Sequence, residues 1–336
     1  MSGPTTSALG LELGDPVLDA DLRRGLAAVE DLLHSSVRSD DPFIAEAARF
    51  LVDAGGKRLR PLMTLTCAHL GSPAVPEVVT AAAVVELTHL ATLYHDDVMD
   101  EAEVRRGSAS ANARWDNTVA ILTGDFLFSR ASELLADLGP WAVRLQATTF
   151  ARLVSGQIRE TVGPRDGEDP VAHHLGVLAD KTGSLIATSA EFGARFSGAS
   201  DAATEVVRRY AEQLGVAFQI SDDIIDIASD TTDSGKTPGT DLREGVPTLP
   251  VLFALRDDSP EPDAVRLRSL VSRPLVDDDE HAEALALMRR SPALAQARQT
   301  LQTYADSALA ILSGLPDGPP RRALVAVVHG VVERTG

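Results

Sequence analysis

Residues 87–100 read LTHLATLYHDDVMD, and residues 218–226 read FQISDDIID. Both stretches have the composition of a helix, and both end in the pattern Asp-Asp-x-x-Asp. The first and third aspartates of this pattern are four residues apart, so a helix places them on one face. Carboxylates this close repel one another unless a cation offsets their charge, and Mg²⁺ binds one or two carboxylates together with substrate phosphates. Two such helices facing each other predict an all-α fold with a metal site suited to a diphosphate leaving group.

The alternative for each motif is an acidic surface patch without function. Residues 277–280 provide a comparison, because this acidic run is flanked by polar residues and proline, which predicts a solvated connection. A single Asp-Asp-x-x-Asp would leave the alternative about half of the weight. The recurrence of the motif at residues 222–226, again after an apolar run, lowers that weight sharply.

Most of the chain after residue 16 has helical periodicity, with apolar residues at three- and four-residue spacing. One such stripe is Leu22, Leu26, Val29 and Leu33. Strand patterns are weak in the sequence. Residues 82–104 contain no glycine or proline, which predicts one long helix. The predicted breaks between helices are at residues 55–56, 71–73, 139–140, 163–170, 198–201, 231–247, 256–262 and 277–280. We expect a tail at residues 1–16 and one all-α domain at residues 17–336, a bundle of about ten or more helices.

Charge and composition exclude several classes of function. The 336 residues carry a net charge of −18, so the chain lacks the basic surface that nucleic-acid binding or a polybasic membrane anchor needs. Cys67 is the one cysteine and lies in an apolar run, which predicts a buried thiol and a reducing compartment. The N-terminus does not resemble a signal peptide, and no apolar run approaches the roughly 18 residues that span a bilayer. We therefore expect a soluble, cytoplasmic protein.

Basic residues stand beside glycines. Residues 55–61 read GGKRLRP, in which the glycines let backbone amides approach an anion and arginine can grip a phosphate at two points. The alternative, a helix end followed by solvated cations, receives about one third of the weight. Lys57, Lys181 and Lys236 are the only lysines. Lys236 lies in a glycine-rich loop that could close over a diphosphate, with a plain surface loop as the alternative.

Other polar residues near the motifs allow two interpretations. Arg105 and Arg106 directly follow the first motif, where they either form salt bridges or balance a phosphate. Lys181 is followed by the hydroxyl of Thr182. His89 lies two helical turns before the first motif on the same face, and a core histidine satisfied by a neighbour is at least as good an interpretation of its position.

Together these motifs resemble those of the trans-isoprenyl (E-polyprenyl) diphosphate synthases. The matching stretches are GGKRLRP at 55–61, LTHLATLYHDDVMDEAEVRRG at 87–107, GDFLFSRAS at 124–132, KTGSLIATSAEFGA at 181–194, and FQISDDIID with GKTPGTDLREG within 218–245. They run in the family order and cover most of residues 50–250, so the resemblance is highly specific.

The resemblance implies a helical bundle around a deep central cavity, a homodimer, and about three Mg²⁺ ions per active site. It also implies the head-to-tail, trans condensation of an allylic prenyl diphosphate with isopentenyl diphosphate. The allylic carbon–oxygen bond ionises, the double bond of isopentenyl diphosphate attacks the cation, and a proton leaves to the departing diphosphate. No protein nucleophile is needed.

The resemblance also implies roles for individual residues. The direct magnesium ligands would be Asp96, Asp100 and Asp222. The residues that bind metal through water or support the site would be Asp97, Asp223 and Asp226. Those that hold the allylic diphosphate would be Arg105, Lys181, Thr182, Gln219 and Lys236. Those that hold isopentenyl diphosphate would be Gly56, Lys57, Arg60, His89 and Arg106.

One position departs from the family pattern. Members commonly have lysine after the glycine of the DLREG stretch, and this chain has Val246 there. Because one cation near the diphosphate is missing, we expect weaker anion binding or altered metal closure, without loss of activity. A strong fall in the turnover of Val246→Lys would contradict this expectation.

In the family, the residues just before the first motif form the floor under the growing prenyl tail, and here they are Ala91 and Thr92. A helix rises about 5.4 Å per turn, close to the length of one isoprene unit, so a bulky residue there would stop growth early. The small residues predict a product of about thirty carbons or more, suited to a quinone side chain. A wall deeper in the cavity would instead give about twenty carbons, as in a geranylgeranyl or other short-chain diphosphate synthase.

Two further classes compete with a synthase. A class I terpene cyclase usually has Asn/Asp-Ser/Thr-Glu at the second metal site and aromatic cavity walls, whereas this chain repeats Asp-Asp-x-x-Asp and is only 4% aromatic. A cyclase would also have no use for a second diphosphate site at residues 55–61. A non-catalytic partner subunit or a purely structural helical protein would not need all the aspartates.

Overall fold

In the computed structural model, residues 15–228 and 238–335 are described, and they are almost entirely helical. The helices of the N-terminal part are α1 (Pro16–Ser36), α2 (Pro42–Asp53), α3 (Leu59–Ala68), α4 (Pro76–Met99), α5 (Ala111–Arg114), α6 (Asn117–Leu138) and α7 (Pro140–Val162). They are followed by α8 (Pro170–Leu178), a π-helical turn (Ala179–Gly183), α9 (Ser184–Phe196), α10 (Asp201–Ala228), α11 (Thr240–Glu244), α12 (Leu249–Arg256), α13 (Pro262–Val271), α14 (Asp278–Arg290), α15 (Pro292–Leu312) and α16 (Pro319–Glu333). Within the described residues the only strands, β1 (Val104–Arg105) and β2 (Ser108–Ala109), form a short antiparallel hairpin. The all-α prediction is confirmed.

Several helices begin where the sequence places aspartate before proline. The Asp15 carboxylate accepts hydrogen bonds from the amides of Val17 (3.1 Å) and Leu18 (3.0 Å), at the start of α1. Asp41 and Asp169 cap α2 and α8 in the same way, and each is followed by proline. The capping carboxylate satisfies amides that the first turn leaves unpaired, and proline has no amide to lose. These pairs fix the starts of three helices.

Where the structure describes them, the predicted breaks between helices agree with it, with two differences; residues 231–237 lie outside the described residues. Residues 277–280, predicted as a solvated connection, start a helix: Asp277 caps α14 by accepting from the amides of Asp279 and Glu280, each at 3.0 Å. Acidic residues in a first turn are stabilised by the positive end of the helix dipole. The predicted loop at residues 231–247 also contains the short helix α11 in its described part.

The helix predicted over residues 82–104 begins earlier, at Pro76, and ends at Met99. Asp100 is its C-cap, and Glu101 takes a left-handed conformation with φ 48°. This turn redirects the chain into the β1–β2 hairpin. The end of α4 therefore falls inside the first aspartate motif, a consequence of local backbone geometry that composition did not reveal.

The first of two compact units has its described residues within Met1–Phe150, Leu185–Arg208 and Leu312–Ala326. Its central helix is α4, which packs against α1, α3, α5 and α6. Because α4 is enclosed by other helices, it buries side chains on nearly all sides. The apolar stripe predicted on α1 lies in the same core, with Leu22, Val29 and Leu33 at most 2% exposed. Cys67 is buried as predicted.

The second unit has its described residues within Ala151–Ser184, Arg209–Ile311 and Val327–Gly336. In it α12 packs against α8 and α13, and α14 packs against α11 and α13. Leu270 and Met288 are fully buried in α13 and α14. The single domain over residues 17–336 and its central cavity stay predictions, as does most of the predicted tail, which lies outside the described residues.

Helix α4 is longer and more apolar than the sequence analysis expected of any segment. By length and composition alone, α4 could cross a membrane, with a mean hydropathy of 1.2 over its most apolar window. However, 67% of that window is buried inside the protein, as in the core helix of a soluble protein. A cytoplasmic location stays a prediction.

Candidate active site

The glycine-rich segment between α2 and α3 turns through positive φ angles, with Gly55 at 71°, Gly56 at 148° and Arg58 at 47°. The φ of Gly56 is one that residues with a side chain rarely adopt, so glycine is favoured there. A Cβ atom at Gly56 would also lie 3.0 Å from the Arg106 guanidinium. Arg106 also donates hydrogen bonds to the carbonyls of Leu51 (3.0 Å) and Gly55. The β1–β2 hairpin, through Arg106, is thereby fastened to the glycine segment.

Arg60, His89 and Arg106 form what we call the basic cluster. The Nε atom of Arg60 is buried without a hydrogen-bond partner. Burial lowers the pKa of Arg60 to about 10, with Arg106 adding to the shift and Glu86 opposing it. Burial, with the positive charges of Arg60 and Arg106, also lowers the pKa of His89 well below its usual value, so the imidazole is neutral at pH 7. A bound anion would relieve the repulsion within this cluster.

The first aspartate motif presents its three carboxylates differently. Asp96 is half-buried, Asp97 is fully buried and Asp100 is exposed. Asp97 accepts a hydrogen bond from Arg105 Nε at 2.5 Å, and its second oxygen is buried without a partner. Burial raises the pKa of Asp97, and Arg105 opposes that shift. The structure therefore pairs Arg105 with the motif, which is one of the two interpretations that the sequence left open.

The two predicted chain-length residues differ in their surroundings. Ala91 is 1% exposed and belongs to the apolar core of the first unit. Helix α6 lies close to Ala91: a Cβ atom added at Gly124 would be 3.0 Å from the Ala91 carbonyl oxygen. Thr92 is half-buried, and its hydroxyl donates to the His89 carbonyl at 2.8 Å. Of the two positions, only Thr92 keeps some accessible surface.

Lys181 and Thr182 lie in the π-helical turn that interrupts α8 and α9. Such turns are uncommon and often occur at functional sites. Lys181 Nζ donates to Glu160 Oε2 at 2.6 Å, and Thr182 is buried. A Cβ atom at Gly156 would lie 2.8 Å from the Lys181 amide nitrogen. Because Gly156 has no side chain, the π-helical turn can pack closely against α7.

A network of charges, which includes two arginines of α7, also holds this turn. Asp180 accepts hydrogen bonds from Arg152 (3.0 Å) and Arg159 (3.3 Å). Arg152 also donates to Glu212 on α10 at 2.7 Å. The second unit therefore fixes the backbone on which the predicted diphosphate ligand Lys181 stands.

In the second motif, Asp222 is paired with the end of the chain. Its carboxylate lies 2.8 Å from Arg334, which also donates to the Ser221 hydroxyl (2.8 Å) and the Phe218 carbonyl (2.6 Å). The Arg334 guanidinium stacks on the Phe218 ring at 4.0 Å. Gln219, on the same helix, is half-buried. An arginine near the C-terminus therefore orients one predicted metal ligand.

Asp223 and Asp226 hold neighbouring backbone. Asp223 accepts from the Leu249 amide at 3.3 Å, at the start of α12. Asp226 accepts from the amides of Thr240 (3.1 Å) and Asp241 (3.2 Å), at the start of α11. Both carboxylates thus hold backbone at the starts of helices, and their role in metal binding stays a prediction. Lys236 lies outside the described residues, and Val246 follows Gly245, the C-cap of α11.

No three His, Cys, Asp or Glu side chains converge to hold a metal ion in residues 15–228 and 238–335. The donor set nevertheless fits Mg²⁺, which needs only one or two carboxylates when substrate phosphates supply the other oxygens. Asp96 offers a half-buried carboxylate, and the unpartnered buried oxygen of Asp97 beside it is suited to a water ligand of the ion. The aspartates fit a metal that arrives with its diphosphate.

Sequence reasoning missed four residues that hold the site: Arg58, Glu86, Glu160 and Arg334. The one available signal was Glu86, a carboxylate inside the apolar run that becomes α4. Its burial implies a partner, because an unpaired charge is costly in a core. The other three are recognised only from distances between residues far apart in sequence.

Comparison with known proteins bears on these residues. The family model described as polyprenyl synthetase matches residues 41–288, which include both aspartate motifs and the glycine segment. The chain belongs to the polyprenyl synthetase family. It is therefore a prenyltransferase, which confirms the resemblance to the trans-isoprenyl diphosphate synthases and the expected fold class.

Three relatives of this polyprenyl synthetase are informative. It is 51% identical to a nonaprenyl diphosphate synthase of Mycobacterium tuberculosis over 337 residues, covering 100% of both chains. It is 44% identical to a dimethylallyltranstransferase of the same organism, covering 96% of this chain and 98% of the relative. A crystal structure of geranylgeranyl pyrophosphate synthase from Corynebacterium glutamicum, complexed with calcium and isoprenyl diphosphate, superposes with a TM-score of 0.86. That protein is 45% identical, with 97% of this chain and 100% of that chain covered.

Proposed function

We propose that this polyprenyl synthetase condenses an allylic prenyl diphosphate with isopentenyl diphosphate, head-to-tail and trans, and repeats the step to a long-chain polyprenyl diphosphate. The observation that carries the proposal is the 51% identity along the whole length of a nonaprenyl diphosphate synthase. The small side chain of Thr92, which keeps some accessible surface before the first motif, supports a long product. A geranylgeranyl product is the alternative, because a relative of that name is 45% identical.

The basic cluster would hold the diphosphate of isopentenyl diphosphate. The buried, unpartnered Nε of Arg60 and the guanidinium of Arg106 would supply charge-assisted donors, and Gly56 lets the Arg106 guanidinium lie against the glycine segment. Neutral His89 can donate one ring hydrogen without adding to the repulsion. The neighbouring Lys57 completes the set that the resemblance implies. These residues bind and orient the nucleophilic substrate.

The aspartate motifs would hold about three Mg²⁺ ions with the allylic diphosphate, through Asp96, Asp100 and Asp222. Bound metal would offset the charge that develops on the diphosphate as the allylic carbon–oxygen bond breaks. Lys181 and Thr182 would bind the same group, and Lys181 would then exchange its contact with Glu160 for the substrate. The pKa of Asp97 is raised by burial, and Arg105 opposes that shift beside the metal ligands.

A product assay tests the proposal. The purified chain is incubated with magnesium, isopentenyl diphosphate and each allylic primer in turn, and the dephosphorylated alcohols are sized. We expect a ladder that ends at about thirty carbons or more. A single product of about twenty carbons would keep the chemistry and contradict the length. Cyclic hydrocarbon and free diphosphate without condensation would contradict the synthase.

Replacing Thr92 with phenylalanine is expected to shorten the product by at least one isoprene unit, because the ring would cover about one helical turn below the first motif. Ala91→Phe is expected to lower the melting temperature, because over-packing a filled core costs about 1–3 kcal/mol. Any change of product length in this variant is expected to accompany that loss of stability. The alcohols are sized as above, and unfolding is followed by circular dichroism. An unchanged product from Thr92→Phe would refute the floor assignment.

The proposal includes a homodimer that forms through α6. On this helix Ile121 is 42% exposed and Leu122 is 60% exposed. An open groove of about 670 Å³ continues along the same face. It is lined by Asp125, Phe128, Ser129, Ser132, Glu133 and Ala136. An exposed apolar helix face of this kind is typical of an interface. Analytical ultracentrifugation is expected to give twice the chain mass, and a monomer at micromolar concentration would contradict this.

A further inference from the structure

Arg58 lies between the residues of the proposed isopentenyl diphosphate site, yet its side chain turns away into the protein. Its guanidinium donates to both carboxylate oxygens of Glu30 (2.5 and 3.1 Å), to Glu86 Oε1 (2.8 Å) and to the Val52 carbonyl (3.0 Å). The side chains of Arg58 and Glu86 are only 7% and 3% exposed. We call these residues the Glu30–Arg58–Glu86 cluster. Arginine can form all four bonds at once because its donors are fixed in a planar fork.

The cluster holds a backbone conformation that is unfavourable by itself. Arg58 has φ 47°, in the left-handed region that costs a non-glycine residue of order 1–3 kcal/mol. No side chain caps the start of α3 there, and the Arg58 carbonyl accepts from the Leu62 amide at 2.9 Å. Lys57 precedes this residue, and Arg60 follows it in the first turn of α3. The directions of both cations therefore depend on the turn at Arg58.

Glu86 places a buried negative charge behind the basic cluster. It lies three residues before His89 on α4, and it opposes the lowering of the pKa of both Arg60 and Arg106 by burial. A carboxylate in this place weakens the attraction of the site for a diphosphate, since like charges repel. The Glu86 carboxylate is explained if its contribution is to hold Arg58 in place.

We propose that the Glu30–Arg58–Glu86 cluster positions the isopentenyl diphosphate site, by fixing the left-handed turn that aims Lys57 and Arg60 at the anion. This inference rests on the proposed function. Arg58, Glu30 and Glu86 are positioning residues and do not touch substrate. The cluster supports the binding of isopentenyl diphosphate only. Its loss would therefore raise KM for isopentenyl diphosphate and leave KM for the allylic primer unchanged.

The direction in which Glu86→Gln changes KM for isopentenyl diphosphate shows whether Glu86 acts by positioning the turn or only through its charge. If the carboxylate acts only through its charge, removing it makes the site more positive and lowers KM for isopentenyl diphosphate. If it positions the turn, KM for isopentenyl diphosphate rises by about 10-fold, since a buried charged hydrogen bond is worth roughly 1.4 kcal/mol or more. KM for the allylic primer is expected to stay within about twofold.

Arg58→Lys provides the second arm, because lysine keeps the charge and loses the fork. The proposal expects KM for isopentenyl diphosphate to rise by about 10-fold again. Glu46→Gln is the matched control, since Glu46 forms an exposed ion pair with Arg114 in the same unit. It is expected to leave both constants unchanged.

Calorimetry with inorganic diphosphate, and melting by circular dichroism, complete the test. Weaker diphosphate binding by both variants is expected. Both variants are expected to melt below the parent, because a buried ion pair is broken, and to remain folded at the assay temperature. An unchanged or lower KM for isopentenyl diphosphate in Glu86→Gln would overturn the proposal, as would equal rises of both Michaelis constants. If the parent chain makes no prenyl product, the proposed function fails, and unchanged diphosphate binding by Arg58→Lys would then separately overturn the cluster's role.

Discussion

Replacing Asp96 with asparagine is expected to lower kcat by about 10³-fold, equivalent to about 4 kcal/mol of transition-state stabilisation. Asparagine keeps the shape of the side chain and removes the charge that a hard cation requires. The half-buried position of Asp96 in the last turn of α4 makes this charge more effective than an exposed one. The measurement is single-turnover condensation at saturating magnesium, together with calorimetric binding of magnesium diphosphate.

Asp279→Asn is the matched control for Asp96→Asn. Asp279 is exposed in the first turn of α14, within the acidic run that served as the comparison for the motifs. The same charge is removed, so a general effect of net charge would appear in both variants. We expect parental turnover for Asp279→Asn. Parental turnover for Asp96→Asn, or equal losses in the two variants, would refute the assignment of Asp96 as a metal ligand.

The parts of the fold that follow local rules were predictable. The glycine breaks and the apolar stripe on α1 each depend on residues close together in sequence, and the structure agrees with them. The exceptions are also local but depend on conformation. Glu101 adopts a left-handed conformation just after α4, which ends before the predicted residue 104. Asp277 caps α14, although the acidic run at residues 277–280 was predicted to be a solvated connection. Composition alone does not distinguish a capping carboxylate from a solvated one.

The site was predictable in its chemistry and less so in its support. The aspartates and the glycine segment were recognisable as candidates because the proposed chemistry needs those residue types in that pattern. The residues that hold them were not, since Arg58 bonds a carboxylate 28 residues away on each side, and Arg334 lies 113 residues beyond Ser221. Such pairs are created by packing, and a buried charge in the sequence indicates only that some partner exists.

The π-helical turn gives the second large expected effect. Replacing Gly156 with alanine is expected to lower kcat/KM for the allylic primer by about 10²-fold, because a displacement of about 1 Å at a binding residue can have that effect. The new methyl group would lie 2.8 Å from the Lys181 amide nitrogen and 3.1 Å from Asp180 Cβ. The backbone must shift to admit it, and Lys181 and Thr182 move with the turn. Steady-state kinetics with varied primer measures the effect.

Gly176→Ala is the control for Gly156→Ala. It is also a helical glycine of the second unit, but an added Cβ atom would meet only the guanidinium end of Arg159 at 3.1 Å. The end of this flexible side chain can give by a few tenths of an ångström, whereas the backbone of the π-helical turn cannot. Arg159 also donates to Asp180 at 3.3 Å, but Arg152 holds the same carboxylate at 3.0 Å, so a small shift of Arg159 leaves Asp180 paired. Alanine favours a helix over glycine by about 1 kcal/mol, so without a clash both variants would melt higher than the parent. A higher melting temperature and parental kinetics for Gly156→Ala would show that the approach of α7 to Lys181 does not set the diphosphate site. Impaired kinetics in Gly156→Ala alone would show that it does.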